Sequence, residues 1–120
     1  MYFKVKRLLK SFVYASRGLI QVIRREQNFR LELTAAALVI LGGWYYHFRP
    51  GEWAVAILTI GFVLLMEVVN SLVELLSDLL KPKLDHYVKA VKDVGAAAVL
   101  LAAVVAVTVG WCLFSPHWFN

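Results

Sequence analysis

The chain has 120 residues, 61% of them hydrophobic, and a formal net charge of +5. This length allows one domain at most, and the apolar composition excludes an ordinary soluble globular protein and indicates a surface solvated by lipid. The basic residues flank apolar stretches without any nucleic-acid motif, so we expect anionic lipid or ATP as partners and no nucleic acid. The lone Cys112 excludes an internal disulfide and a cysteine zinc cluster.

Residues 3–25 have the pattern of an amphipathic helix. Leu8, Phe12 and Leu19 share one apolar stripe, and Lys10 and Arg17 lie on the opposite side. An oily face opposite a basic face is typical of a helix that lies in the membrane interface. We therefore predict a surface helix, and the lack of signal-peptide features indicates that it is retained.

Three membrane spans are predicted after this helix, over residues 33–48, 53–80 and 95–114. A tight turn at residues 49–52 separates the first two, and residues 84–91 form a short charged connection before the third. Basic residues concentrate before the first span and in the second connection, which places the N-terminus in the cytoplasm and the C-terminus outside. The predicted fold is thus a single-domain, all-α integral membrane protein, residues 1–120, that associates with other subunits.

The second span carries a polar ladder of Glu67, Asn70, Glu74 and Asp78 in an otherwise apolar helix. At 100° per residue these four side chains share one face about 80° wide. Carboxylates inside a membrane are costly, and they usually face a protein interior or a wet cavity. The ladder is therefore the main candidate for a functional site.

Other charged residues are predicted to join the ladder at the same membrane depth: Glu26 before the first span, and Lys92 with Asp93 after the second connection. Carboxylates from different helices suit Mg²⁺, and a lysine beside them could stabilise a transferring phosphoryl group. A further carboxylate could take a proton from a hydroxyl nucleophile. The glycine-rich phosphate loops of common soluble kinases are absent from the sequence. A proton or cation pathway and a noncatalytic membrane adaptor remain the alternatives.

The stretch Glu67-Val-Val-Asn70-Ser71-x-Val-Glu74-x-x-x-Asp78 resembles the signature of the prokaryotic diacylglycerol kinase and undecaprenol kinase family, Glu-x-x-Asn-Ser/Thr-x-x-Glu-x-x-x-Asp. The resemblance covers nearly the whole chain, including Glu26-x-x-Phe29-Arg30-x-Glu32 and Lys92-Asp93-Val94-Gly95-Ala96. It implies a homotrimer in the bacterial inner membrane, with sites shared between subunits. It also implies transfer of the γ-phosphate of ATP to the hydroxyl of a membrane lipid alcohol with Mg²⁺.

The resemblance implies a role for each matching residue. Glu67 would be the catalytic base, and Glu26 and Glu74 would hold Mg²⁺ and the nucleotide. Four residues would contact ATP: Arg7, Tyr14, Lys92 and Asp93. Asn70 and Asp78 would support the site. Four residues would bind the lipid: Phe29, Arg30, Glu32 and Ala96.

Some positions depart from the family pattern. Lys83-Leu84-Asp85 stands where Glu-x-His is common, which puts nucleotide contacts there in doubt, and Ala96 replaces the serine of some diacylglycerol kinases. The Glu52-Trp53 pair and the Pro116 tail resemble the undecaprenol kinase branch. We therefore favour undecaprenol as the acceptor, with diacylglycerol as the alternative.

Overall fold

A computed structural model of the chain describes residues 2–81, 83 and 85–119, and the side chains of these residues except 2 and 3. It contains four helices: α1 (Tyr2–Arg25), α2 (Gln27–Tyr45), α3 (Pro50–Leu80) and α4 (Asp85–Trp118). The predicted all-α class is confirmed. The predicted Lys83-Leu84-Asp85 departure includes Leu84, which lies outside the described residues.

Helix α1 keeps the two faces that its sequence predicts, and it leaves its apolar face uncovered. Leu8, Leu9 and Phe12 are all more than half exposed. The helix faces α3 only along its C-terminal half, across an open gap of about 440 Å³. Because these apolar side chains find no cover inside the chain, they are free to contact lipid or another subunit.

Helices α3 and α4 form a hairpin and are the two described helices that are long and apolar enough to cross a membrane. With 31 and 34 residues they extend about 46 and 51 Å, whereas the hydrocarbon core of a bilayer is about 30 Å thick. Both helices are therefore longer than a crossing along the bilayer normal requires. The predicted first span at residues 33–48 corresponds to α2, and its crossing stays a prediction.

The hydrophobic core of the chain lies at the end of the hairpin where α2 meets α3. Phe48, Ala56 and Leu113 are buried there and pack against Trp53 and Phe114. Two polar contacts hold the last turns of α4 to the same region: His117 Nε2 lies 2.9 Å from Glu52 Oε2, and Trp118 Nε1 donates to Tyr46 Oη over 2.8 Å. This end of the molecule is consequently fixed by both packing and hydrogen bonds.

Two differences from the predicted bounds have a clear physical reason. The chain reverses at residues 46–49, not at residues 49–52, because Pro50 fits the first turn of a helix and begins α3. Helix α4 begins at Asp85, ten residues before the predicted span. It does so because the charged segment has its own helical support: Val88 is buried, and Lys89 pairs with Asp93 one turn later at 3.6 Å.

Candidate active site

The polar ladder of α3 runs from a buried end to an exposed end. Glu67 is only 1% exposed, Asn70 and Glu74 are partly covered, and Asp78 is exposed. The pattern follows from helix geometry, since the four residues share one face and α2 covers only the Glu67 end. A group bound at Asp78 would therefore meet water, and a group bound at Glu67 would not.

Three carboxyl groups lie around Glu67. Glu32 of α2 lies beside Glu67, and Glu26 and Glu74 are near enough for their charges to act on it. Glu67 Oε2 and Glu32 Oε2 are buried without a hydrogen-bond partner among the described residues. Buried like charges with free lone pairs are unfavourable on their own, so the cluster is suited to a proton or a cation.

Glu26 occupies the single residue between α1 and α2. Its backbone is extended, with φ −102° and ψ 110°, and its carboxyl group lies near that of Glu74. Arg25 Nε lies 3.9 Å from Glu26 Oε1 on the other side. The bend between two helices thus delivers one carboxylate to the ladder of a third helix.

Asp78 joins three helices at the open end of the ladder. Its Oδ1 accepts from Lys92 Nζ of α4 at 3.1 Å, and its Oδ2 accepts from Arg25 Nη2 of α1 at 3.3 Å. Both pairs are at least one-third exposed, so each adds little stability. Their effect is to hold two cations beside Glu74 at the mouth of the site.

Asn70 is held by a close approach between α3 and α4. A Cβ added to Gly95 would lie 2.5 Å from Asn70 Oδ1, so a side chain at this position would displace the amide. Of the nearby α4 residues, Asp93 pairs with Lys89 and Ala96 is exposed on the helix surface.

The structure does not bring every predicted site residue together. Arg7 and Tyr14 are exposed on α1, and Arg7 lies 18 residues before Arg25, about 27 Å along the helix axis. Phe29 is buried at 2% exposure, inside the chain. The guanidinium of Arg30 donates to main-chain carbonyls of α1.

Three residues near the site are not predicted as site residues by the sequence. Arg25 is one of many basic residues before the first span, but it directly precedes Glu26 and reaches Asp78. Gly95 was noted only as part of a longer match, and its role depends on a contact between helices that the sequence does not reveal. Ser71, with its buried and unpartnered Oγ, could have been suspected because it sits within the ladder.

The carboxylates could provide some of the ligands of a metal ion but not a full set. Among the described residues, no three His, Cys, Asp or Glu side chains converge as a metal cage would require. Glu26 and Glu74 nevertheless supply two neighbouring carboxyl groups with hard oxygen donors. Mg²⁺ commonly takes one or two carboxylates and completes its shell with phosphate oxygens and water, so this donor set suits a magnesium nucleotide.

Comparison with known proteins shows the family of this chain. A model of the family described as prokaryotic diacylglycerol kinase matches residues 13–114. The chain belongs to this family. The matched residues include Glu26, Glu67, Glu74 and Lys92, whereas Arg7 lies before them, so the resemblance found in the sequence is confirmed at the level of the family.

Curated relatives of this kinase family carry two different names. The undecaprenol kinase of Bacillus subtilis (strain 168) is 34% identical over 113 residues, which cover 94% of this chain and 92% of that protein. A diacylglycerol kinase of Synechocystis is 37% identical over 110 residues, covering 91% of this chain but 63% of that longer protein. The diacylglycerol kinase of Escherichia coli (strain K12) is 29% identical over 107 residues, covering 89% of this chain and 87% of its own length.

Proposed function

We propose that this chain transfers the γ-phosphoryl group of ATP to the hydroxyl of a membrane lipid alcohol, with undecaprenol as its acceptor. Membership of the prokaryotic diacylglycerol kinase family makes it a lipid kinase of the membrane. The observation that carries the chemical proposal is Glu67, a carboxylate at 1% exposure with one oxygen free of any described donor. Such an oxygen is available to a hydroxyl group arriving from the lipid.

Glu67 is proposed as the general base. It accepts the proton of the lipid hydroxyl as the hydroxyl oxygen bonds to the γ-phosphorus and the bond to the β-phosphate oxygen breaks. Burial excludes water from this carboxylate, which disfavours hydrolysis of ATP in place of transfer to lipid. Glu32, against Glu67, orients it and borders the acceptor hydroxyl.

Glu26 and Glu74 are proposed to hold Mg²⁺ together with the nucleotide. When bound, the ion neutralises charge on the phosphate oxygens. Lys92 is already held beside Glu74 by Asp78, and it is proposed to contact the phosphates with Arg25 nearby. Asp93 lies at the same end of α4 and is proposed to contact the nucleotide outside the phosphates.

Arg7 and Tyr14 are proposed to contact ATP bound to a different subunit. The distance of about 27 Å along α1 separates Arg7 from the site of its own chain. The uncovered apolar face of α1 supports an assembly in which this helix extends toward a neighbour. We propose a homotrimer, in which each subunit supplies part of the next site.

We propose that α1 lies on the cytoplasmic surface of the bacterial inner membrane and that α2, α3 and α4 cross it, with the C-terminus outside. Counting about 30 Å of hydrocarbon from the aromatic residues at the start of α3 places Glu74 and Asp78 at the headgroup level. There the water-soluble nucleotide and the lipid hydroxyl can meet. The excess of basic residues at that side supports the orientation.

The choice of undecaprenol over diacylglycerol is supported by two observations. Ala96 offers no hydroxyl to a glyceride, and a relative named undecaprenol kinase matches over nearly the full length of both chains. Diacylglycerol remains the alternative acceptor, because two relatives are named for it.

The test is transfer of labelled γ-phosphate from Mg-ATP in mixed micelles that contain either undecaprenol or diacylglycerol. Label in undecaprenol, lost in Glu67→Gln, supports the proposal, and label in diacylglycerol alone selects the alternative acceptor. If folded protein transfers no label to either lipid, the proposed kinase activity is wrong. Nucleotide-independent ion flux in liposomes would then support an ion pathway, and its absence a noncatalytic adaptor.

A further inference from the structure

Arg30 caps the end of α1 from within α2. Its Nη1 donates to the carbonyl oxygens of Ile23 at 2.8 Å and of Arg24 at 2.9 Å. Carbonyls in the last turn of a helix have no partner inside that helix, and a cation there also complements the helix dipole. The Val22 carbonyl is satisfied separately by the amide of Glu26 at 2.8 Å. One side chain thus satisfies two of the carbonyls left free where α1 ends.

The same two hydrogen bonds span the bend at Glu26. Arg30 sits one turn into α2, with its amide 3.3 Å from the Glu26 carbonyl, whereas its guanidinium is bonded to α1. Glu26 is the sole residue between the two helices, and its extended backbone alone does not fix an angle. Bonds from α2 to the last turn of α1 therefore restrict the direction in which α1 leaves the bend.

Little else restrains α1 within the described chain. A gap of about 440 Å³, with Gly18 and Leu19 on α1 facing Leu72 and Leu75 on α3, separates the two helices. The direct polar link from α1 to α3 is the Arg25–Asp78 pair, at 3.3 Å and partly exposed to solvent. A bridge of this kind is too weak to orient a long helix by itself.

We infer that Arg30 is a positioning residue of the kinase: it sets the angle between α1 and α2 and thereby holds Glu26 against Glu74. The inference rests on the proposed function of Glu26 and Glu74 as the nucleotide–metal pair. It differs from the role that the resemblance implied for Arg30, which was a contact with the lipid. In this structure Nη1 of the guanidinium is instead engaged with the backbone of α1.

The kinetic test compares Arg30→Gln with Arg30→Lys, and Arg24→Gln serves as the matched control because it removes an adjacent positive charge without removing a bond in this structure. Arg30→Gln is expected to raise KM for Mg-ATP about tenfold and to lower kcat about tenfold, because small displacements of catalytic groups are costly. The KM for the lipid is expected to stay within about twofold of that of the unsubstituted protein. Arg30→Lys, with one nitrogen able to donate twice, is expected to recover part of both losses. A rise confined to the lipid KM, or equal losses in Arg24→Gln, would overturn the inference.

A structural readout separates this inference from the proposed function. Spin labels at Ser11→Cys on α1 and Leu38→Cys on α2, in a Cys112→Ala background diluted with unlabelled chain, report the angle between the helices. A change of about 10° would move the Ser11 position by about 4 Å, because Ser11 lies about 21 Å along α1 from Arg25. Arg30→Gln is expected to shift or broaden this distance and Arg24→Gln to leave it unchanged. An unchanged distance in Arg30→Gln would overturn the positioning role, whether or not the protein proves to be a kinase.

Discussion

Glu67 combines deep burial with three neighbouring carboxyl groups, an arrangement that costs folding free energy. The role of the Glu67 carboxylate can be tested by a substitution that keeps the shape of the side chain and removes its charge. In Glu67→Gln, kcat for lipid phosphorylation should fall by about 10²–10⁴-fold, the range typical of a lost general base. The free energy of unfolding should stay level or rise, because one like charge leaves a buried cluster. Turnover at several ATP concentrations and chemical unfolding measure the two effects.

Glu52→Gln provides a matched control for that experiment. It makes the same change in the same helix, 15 residues or about 22 Å away, where Glu52 contacts His117 at the opposite end. Its activity should stay within about twofold of the unchanged protein, although loss of the contact should lower the melting temperature. Full turnover in Glu67→Gln, or an equal loss in Glu52→Gln, would remove Glu67 from the role of base.

Glu74 is expected to act on the nucleotide and its metal, unlike Glu67. Its carboxyl group is within reach of Glu26 and near Lys92, at the more open part of the ladder. In Glu74→Gln the Mg²⁺ concentration for half-maximal activity should rise by about tenfold or more, because a metal ligand contributes in the ground state. Calorimetric titration of Mg-ATP into the protein should show the same weakening without turnover. Unchanged metal affinity would make Glu74 a structural residue.

At the level of single residues, the sequence predicted the composition of the ladder but not its surroundings. Helical spacing alone puts Glu67, Asn70, Glu74 and Asp78 on one face, because that geometry is local. The contact of Glu32 with Glu67 depends on how α2 packs on α3, and spacing within one helix carries no information about that packing.

At the level of helices, the spacing of apolar residues and the composition predicted four helical segments, as the structure has them, although the ends of the helices differ from the predicted bounds. The predicted third span starts at residue 95, whereas α4 begins at Asp85, because Val88 is buried and the helix continues through the charged connection. The sequence predicts the turn at residues 49–52, whereas α3 already begins at Pro50, because proline is favoured at the first helical position.

The packing of α3 against α4 makes Gly95 a test of the hairpin. In Gly95→Ala the new methyl group would need the space of Asn70 Oδ1, which a Cβ would approach to 2.5 Å. Overpacking of this kind should lower the free energy of unfolding by about 1–3 kcal/mol, and displacement of Asn70 should reduce activity as well. Thermal unfolding and phosphate transfer measured on the same preparation would report both.

Gly61→Ala is the control for Gly95→Ala. A Cβ at Gly61 meets nothing within 4 Å, so alanine there should leave activity unchanged and raise helix stability slightly. If the two variants had the same stability and activity, the close approach of Gly95 to Asn70 would not matter for either property.

At the level of the whole molecule, a single chain supplies a base, two candidate metal ligands and a held lysine, but it leaves Arg7 and Tyr14 far away on an exposed helix. If these two residues serve a neighbouring site, two inactive variants should restore each other when mixed. Chains with Arg7→Ala and chains with Glu67→Gln are mixed in equal amounts, unfolded together and refolded into the same micelles. The mixture should show about one quarter of the activity of the unsubstituted protein, because random assembly in a cyclic oligomer gives about that fraction of sites both intact residues. Each variant refolded alone is the control. No recovery, from mixtures shown by crosslinking to contain both chains, would mean that each site is built from one chain and that Arg7 acts elsewhere.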